Sequence, residues 1–283
     1  MVGYVDIHPH VISDDEMRYP PAPLFGKRSD WSQERPSTVE TLIAQMDAAG
    51  VDKAVVVHSS TTYGFDNSYV VDACGRYPDR LLAVGSVDVL APDAPQVIRK
   101  WVEKRLGGLR VFTGGSTKEF DASELDDARA YPAWELLAEL GLTMCIQTGP
   151  TGLGAVAALA ERFPNVPIIL DHLGRPDVTG GPPYAEAQSL FDLALIENIY
   201  LKLTPRIMAD SVRGAATPES LFPKLVHIFG AQRLAWGSNY PTSEGTLSEI
   251  KATAEERLLS LSVEDRDWVF AKTAQSLYPS FAE

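Results

Sequence analysis

The amino-acid sequence predicts an α/β fold, a single (β/α)8 barrel, on three observations. Eight short runs rich in Val, Ile and Leu alternate with eight amphipathic segments. Most of the links between them are short, as expected where helices cross between parallel strands. The first run is not followed by Gly-x-Gly-x-x-Gly, the fingerprint of the rival open, doubly wound sheet. A count of eight favours closure. A length of 283 residues suits one domain, residues 1–283, since single barrels commonly run to about 250 residues.

Taken in order, the expected strands are 3–7, 53–58, 82–87, 107–112, 142–148, 167–171, 199–204 and 234–238. The expected helices are 38–49, 68–77, 94–105, 130–140, 153–163, 184–197, 218–229 and 246–259, with a ninth at 263–277 closing the chain. Gly152-Leu-Gly154 lacks the rest of a dinucleotide fingerprint and reads as a helix start. The irregular stretch is 10–37, with four prolines, the aromatic residues Tyr19, Phe25 and Trp31, and the cations Arg18, Lys27, Arg28 and Arg35. Loops this long are usually functional or disordered, and the aromatic content argues against disorder. Following the first strand, it is expected over the mouth of a barrel.

Composition narrows the function. Net charge is −13 and the isoelectric point about 4.8, which argues against a nucleic-acid surface. Cys74 and Cys145 sit in apolar elements and read as buried thiols, so no disulfide framework is implied. No apolar run reaches membrane-span length and the first residues do not form a signal peptide, so a cytoplasmic protein without a membrane partner is expected. The aromatic residues are too dispersed to mark a dimer face, which leaves homo-oligomerisation open.

The chemistry lies at the strand ends. Asp6-Ile7-His8-Pro9-His10 ends the first strand. If the strand runs on, residues two apart share a face, so Asp6, His8 and His10 line up, a spacing that suits a divalent metal if further ligands arrive. His58 ends the second strand, Asp88 follows the third, and Arg110 lies near the end of the fourth. Gln147 and Thr148 end the fifth, Asp171-His172 the sixth, Lys202 and Thr204 lie on the seventh, and Ser238-Asn239 end the eighth. Such groups are costly to bury unless paired or used. In a barrel they converge on one rim, and four of the five histidines are among them. His227, inside Leu-Val-His-Ile-Phe, reads as an ordinary helix histidine.

These motifs carry a resemblance. Asp6-Ile-His8-Pro-His10, Gly108-Leu-Arg110-Val, Asp171-His172-Leu-Gly-Arg175-Pro-Asp177 and Trp236-Gly-Ser-Asn239-Tyr-Pro241 together resemble the amidohydrolase-related TIM-barrel family. The match runs to Thr273-Ala-Gln-Ser-Leu-Tyr-Pro279 and so spans essentially the whole chain. Within the family it is most similar to the pyrone dicarboxylate lactonases and related sugar or muconolactone hydrolases. By that resemblance His8, His10 and His172 are the residues that bind a metal or polarise a carbonyl. The family's strand-eight motif usually ends in Asp, a metal ligand and base, where this chain has Asn239. An amide cannot take a proton at working pH and ligates weakly, so zinc or a similar ion is expected to be weakly bound or dispensable.

The resemblance implies a hydrolase that opens a lactone or similar cyclic ester. Water would attack a carbonyl polarised by the histidine cluster or a bound metal, with His58 or Asp88 as the base. An anionic small-molecule substrate is implied, with Arg110, Arg175 and Arg206 gripping carboxylates and Lys202 and Gln147 beside them. The alternatives are a metal-dependent, non-oxidative decarboxylase and a barrel that binds a ligand without catalysis.

Overall fold

The computed structural model of the chain describes residues 3–281. Eight parallel strands form one sheet in sequence order: β1 (Val5–Asp6), β2 (Lys53–Val57), β3 (Leu81–Gly85), β4 (Leu106–Phe112), β5 (Thr143–Gln147), β6 (Ile168–Leu170), β7 (Ile199–Leu203) and β8 (Leu234–Trp236). Sheet pairing runs from Val5↔Lys53 round to Leu203↔Trp236. The Ile7 N–H then donates to the Trp236 carbonyl at 3.2 Å, joining the last strand to the first. The expected barrel, with all eight strands in the expected order, is the observed fold.

The helices are α1 (Asp30–Glu34), α2 (Val39–Ala49), α3 (Ser60–Tyr63), α4 (Ser68–Gly75), α5 (Ala94–Val102), α6 (Tyr131–Leu140), α7 (Leu153–Arg162), α8 (Gln188–Asp192), α9 (Pro205–Asp210), α10 (Pro218–Phe229), α11 (Leu247–Arg257), α12 (Val263–Asp267) and α13 (Thr273–Leu277). Their boundaries follow local chemistry. Thr38, Thr217 and Thr246 cap α2, α10 and α11 by accepting a backbone N–H, and Thr246 with Glu249 makes a capping box. Gly50 and Gly141 end α2 and α6 in the left-handed region that glycine adopts without strain. Two expected helices differ. The stretch 184–197 holds only α8 between single 3-10 turns, and a π turn over Trp268–Lys272 separates α12 from α13. Among the described residues no helix is long and apolar enough to cross a membrane.

Two apolar layers hold the barrel. The larger packs the outer strand faces under the helices, with Leu109, Met144, Ile146, Leu170 and Leu203 fully buried in it. The smaller contains Val55, Val84, Cys145, Ile169 and Ala235, joined by Leu277, Tyr278 and Phe281 from the end of the chain. Thr143 Oγ1 donates to the Tyr278 hydroxyl at 3.2 Å, so the C-terminal segment closes the amino-terminal end of the barrel. The other end is left for chemistry.

Gly237 shows how tightly β8 abuts β1. A Cβ added there would lie 2.5 Å from His8 Cβ and 3.4 Å from Lys202 Cγ. Neither backbone can yield without moving the strand ends, so Gly237→Ala should cost about 1–3 kcal/mol by overpacking. Urea unfolding checks this, and a midpoint equal to the parent's would contradict the close approach.

Candidate active site

β1 stops at Asp6 and the chain bends at Ile7, so strand alternation does not reach His8 and His10. Asp6 is fully buried and acts as a clasp. Its Oδ1 accepts the N–H of His8 at 2.9 Å and of Ser238 at 2.8 Å, tying the end of β1 to the end of β8. The expected row of Asp6, His8 and His10 is thus replaced by one carboxylate that ties the backbone of His8 to that of Ser238.

The three imidazoles come together. The His8 ring centroid lies 5.0 Å from that of His10 and 5.0 Å from that of His172. His10 Nδ1 is 2.7 Å from the Val57 carbonyl, which can only accept, so Nδ1 carries the proton and Nε2 keeps a lone pair. His172 Nδ1 lies 2.8 Å from Thr204 Oγ1, where either group can donate. Neither nitrogen of His8 has a hydrogen-bond partner among the described residues. Burial pushes His10 and His172 down to about 3, with nearby guanidinium groups adding to it, and holds His8 well below its ordinary value, helped by Lys202. All three rings are neutral at physiological pH.

His172 owes its place to an unusual backbone. His172, Leu173, Gly174 and Arg175 have φ of 54°, 57°, 67° and 59°, a left-handed turn closed by the Arg175 N–H on the His172 carbonyl at 2.9 Å. Left-handed geometry costs an L residue about 1–2 kcal/mol, and Gly174 is the one member of the turn that escapes it. Burial of Leu173 in the apolar layer offsets part of that cost. The turn brings His172 and Arg175 to one cavity, and backbone strain of this kind gathers at functional sites.

Asp171 anchors the floor. It is fully buried, with Oδ1 2.8 Å from Lys202 Nζ and Oδ2 accepting from Arg110 Nε at 2.8 Å. Burial alone would raise this carboxyl, but Lys202, His8 and Arg110 together hold it well below the usual range. His8 Nδ1 is 3.5 Å from Oδ1. Arg110 also donates to Gln147 Oε1, and Gln147 Nε2 donates to the Gly114 carbonyl at 3.0 Å.

Above this floor opens a cavity of about 530 Å³, lined by His10, His172, Asn239, Arg110, Gln147, Arg175 and Arg206 among the residues singled out from sequence. Lys202 and His8 lie outside its lining and are fully buried. His58 is elsewhere too. Its Nε2 donates to the Gly64 carbonyl at 2.9 Å, its ring packs 6.2 Å from Tyr63, and burial pushes it down to about 4. Asp88 is exposed in a neighbouring cavity of about 280 Å³. Sequence reasoning missed Asp210 and Arg213, which line the cavity from α9 onward, Asp210 lying 3.7 Å from Arg206 Nε and 3.3 Å from Arg213 Nη1. Trp31 of α1 lines it 5.4 Å from the His10 ring, and Arg35 donates to the carbonyls of Pro241 and Thr242. A helix within an irregular, proline-rich stretch gave no periodic signal.

The residues present fit a divalent metal poorly. Among the described residues no group of three or more His, Cys, Asp and Glu is arranged to hold one. The imidazoles are neutral, Asn239 offers an amide, and the carboxylate beneath them is already paired with two cations. A dication there would meet Lys202, Arg110 and Arg175 with little negative charge to offset it.

A family model described as Amidohydrolase matches residues 5–280. The chain is 28% identical over 256 residues to an L-fucono-1,5-lactonase of Burkholderia ambifaria, covering 86% of this chain and 82% of that protein. It is 25% identical over 249 residues to a 4-sulfomuconolactone hydrolase of Rhizobium radiobacter, covering 85% and 76%. Among solved structures, a putative 2-pyrone-4,6-dicarboxylic acid hydrolase from Pseudomonas putida superposes with a TM-score of 0.78 at 21% identity over the whole of both chains. An amidohydrolase from Burkholderia multivorans with bound zinc gives 0.76 at 19% identity, covering 98% of this chain and 99% of that one.

The depressed histidines predict how stability varies with pH. Their ordinary value near 6.5 applies in the unfolded chain, which therefore binds more protons than the fold as pH drops below it. The stabilisation is complete above about 6.5 and is lost as pH falls towards about 4 for His58 and about 3 for His10 and His172. Urea midpoints should fall steadily from pH 7 to 4, and His58→Gln should flatten that slope. A midpoint that stays constant over this range would contradict buried, neutral imidazoles.

Proposed function

The chain belongs to the amidohydrolase family, and from that premise we propose that it opens the ring of an anionic lactone by adding water to the ring carbonyl. The observation that supports this best is one cavity in which neutral imidazoles meet several guanidinium groups. Lactonases among the relatives point the same way.

Arg175 and Arg110 grip the substrate's carboxylate. Arg110 is fixed from below by Asp171 and Gln147, and Arg175 lies 4.9 Å from the Phe120 ring centroid with its Nε buried and unpartnered. Burial pushes the Arg175 guanidinium down to about 10, still cationic at neutral pH, and a substrate anion would offset that cost. Arg206 and Arg213 widen the positive rim. His172, neutral, donates a hydrogen bond to the carbonyl oxygen as negative charge develops there.

His10 replaces the family's strand-eight carboxylate as the proton acceptor. Its Nε2 lone pair takes a proton from the attacking water, then returns it to the ring oxygen as the ester bond breaks. An imidazole at about 3 is a weak base, and the substrate's own negative charge raises it. Asn239, itself at φ 52° with Nδ2 3.2 Å from Ser243 Oγ, orients that water. Trp31 shields the His10 side from solvent. The zinc that the resemblance implies at His8, His10 and His172 would meet the unfavourable charge balance described above, so it is weakly bound or dispensable.

A panel of lactones followed by alkali uptake at fixed pH tests this reading. Anionic lactones should be opened faster than neutral ones. Arg175→Met should raise KM for the anionic substrates by roughly 10- to 150-fold, the weight of a charge-assisted hydrogen bond of about 1.5–3 kcal/mol, and spare the neutral ones. Carbon dioxide release would point to a decarboxylase, and binding without turnover to a non-catalytic barrel. Either would overturn the proposal.

A further inference from the structure

We propose that Lys202 is a positioning residue that stands in for a metal ion, supplying the barrel floor with a fixed positive charge and withholding Asp171 from any ion at the histidine cluster. Lys202 is 0% exposed, at the fourth position of β7. A buried ammonium is expensive unless paired, and an apolar side chain would serve packing alone at lower cost. Its Nζ lies 2.8 Å from Asp171 Oδ1 and 3.6 Å from Cys145 Sγ. Of these two partners only Asp171 can carry the compensating charge, since burial raises the Cys145 thiol and keeps it neutral.

The atom that Lys202 engages is the one an ion would need. Asp171 Oδ1 is also the carboxylate oxygen 3.5 Å from His8 Nδ1, while Oδ2 is committed to Arg110. Counting both buried carboxylates as ionised, Asp6 and Asp171 do no more than balance Lys202 and Arg110. Arg175 then tips the floor positive before any ion arrives. Without the Lys202 ammonium, Asp171 Oδ1 would be a free carboxylate beside His8, and the same pocket would gain an anionic ligand. Lys202 also keeps Asp171 doubly held, so that Arg110 presents its remaining donors to the cavity.

This inference rests on the proposed function only in taking His8, His10 and His172 as the place an ion would go. Its test is a binding measurement that needs no lactone. Zinc affinity is measured by competition with a chelating dye for the parent chain, Lys202→Met, Lys202→Arg and the double variant Lys202→Met/Asp171→Asn. Lys202→Met should bind zinc at least about tenfold more tightly, since it removes one charge and frees another. Lys202→Arg should bind no better than the parent, and the double variant should lose the gain. Equal affinity in the parent and Lys202→Met would overturn the proposal. If circular dichroism shows that Lys202→Met does not fold, the parent decides: one zinc held below about 1 μM with Lys202 in place would overturn it, and weaker binding would uphold it.

Discussion

The buried carboxylate of Asp171 is the constraint on which the site depends. A carboxylate at the end of a barrel strand, out of reach of water, stays ionised only because Lys202 and Arg110 take one oxygen each. That pairing sets the other roles. Arg110 acquires one orientation and carries Gln147 with it. His8 is left neutral against the same carboxylate, and burial, with the nearby guanidinium groups adding to it, keeps His10 and His172 neutral as well. Neutral imidazoles can donate a hydrogen bond or offer a lone pair, and the proposed ring opening draws on both. The polar column continues downward through Cys145 and Thr143 towards Tyr278, so the C-terminal segment that plugs the barrel belongs to the same stack.

A second constraint is local and comes from the backbone. The left-handed turn from His172 to Arg175 turns one strand end into two cavity-lining side chains, a neutral imidazole and a guanidinium. Ordinary right-handed geometry would send the two in other directions. The fold carries that strain because the apolar layer under Leu173 is well packed, and glycine stands at 174 because a Cβ there would come within 2.7 Å of Leu153 Cδ2. On the opposite rim, Asp6 performs the equivalent task for His8 through two backbone N–H groups. Each imidazole is therefore placed by a different device, and the three arrive at 5.0 Å spacings without sharing a strand face.

Much of the fold was legible in the residues. Eight β-branched runs and the helices between them announce a barrel, and the polar ends of those runs announce its rim. His10, His172, Arg110, Arg175, Arg206, Gln147 and Asn239 do meet in one cavity. What the sequence hides is direction. His58 ends its strand as His172 does, yet the chain turns into α3 and the ring faces the Gly64 carbonyl. Lys202 and Arg110 look alike as cations near strand ends, but Lys202 sits deeper and meets Asp171 and Cys145 instead of solvent. Strand length matters as much. Because β1 ends at Asp6, one residue short of the expected strand, alternation does not reach His8 and His10, and Asp6 binds backbone N–H groups instead of joining them in a row. Trp31 and Asp210 belong to short helices inside connecting segments, where no periodicity exists to be read.

In the proposed reaction, fixed protein cations and neutral imidazoles do the work of a metal ion. The most direct measurement is the turnover of an anionic lactone by protein freed of metal with a chelator and assayed in metal-free buffer, beside the untreated protein. The expected kcat/KM is unchanged by the treatment and gains nothing when zinc is returned. Activity that is lost on chelation and restored by stoichiometric zinc would contradict it.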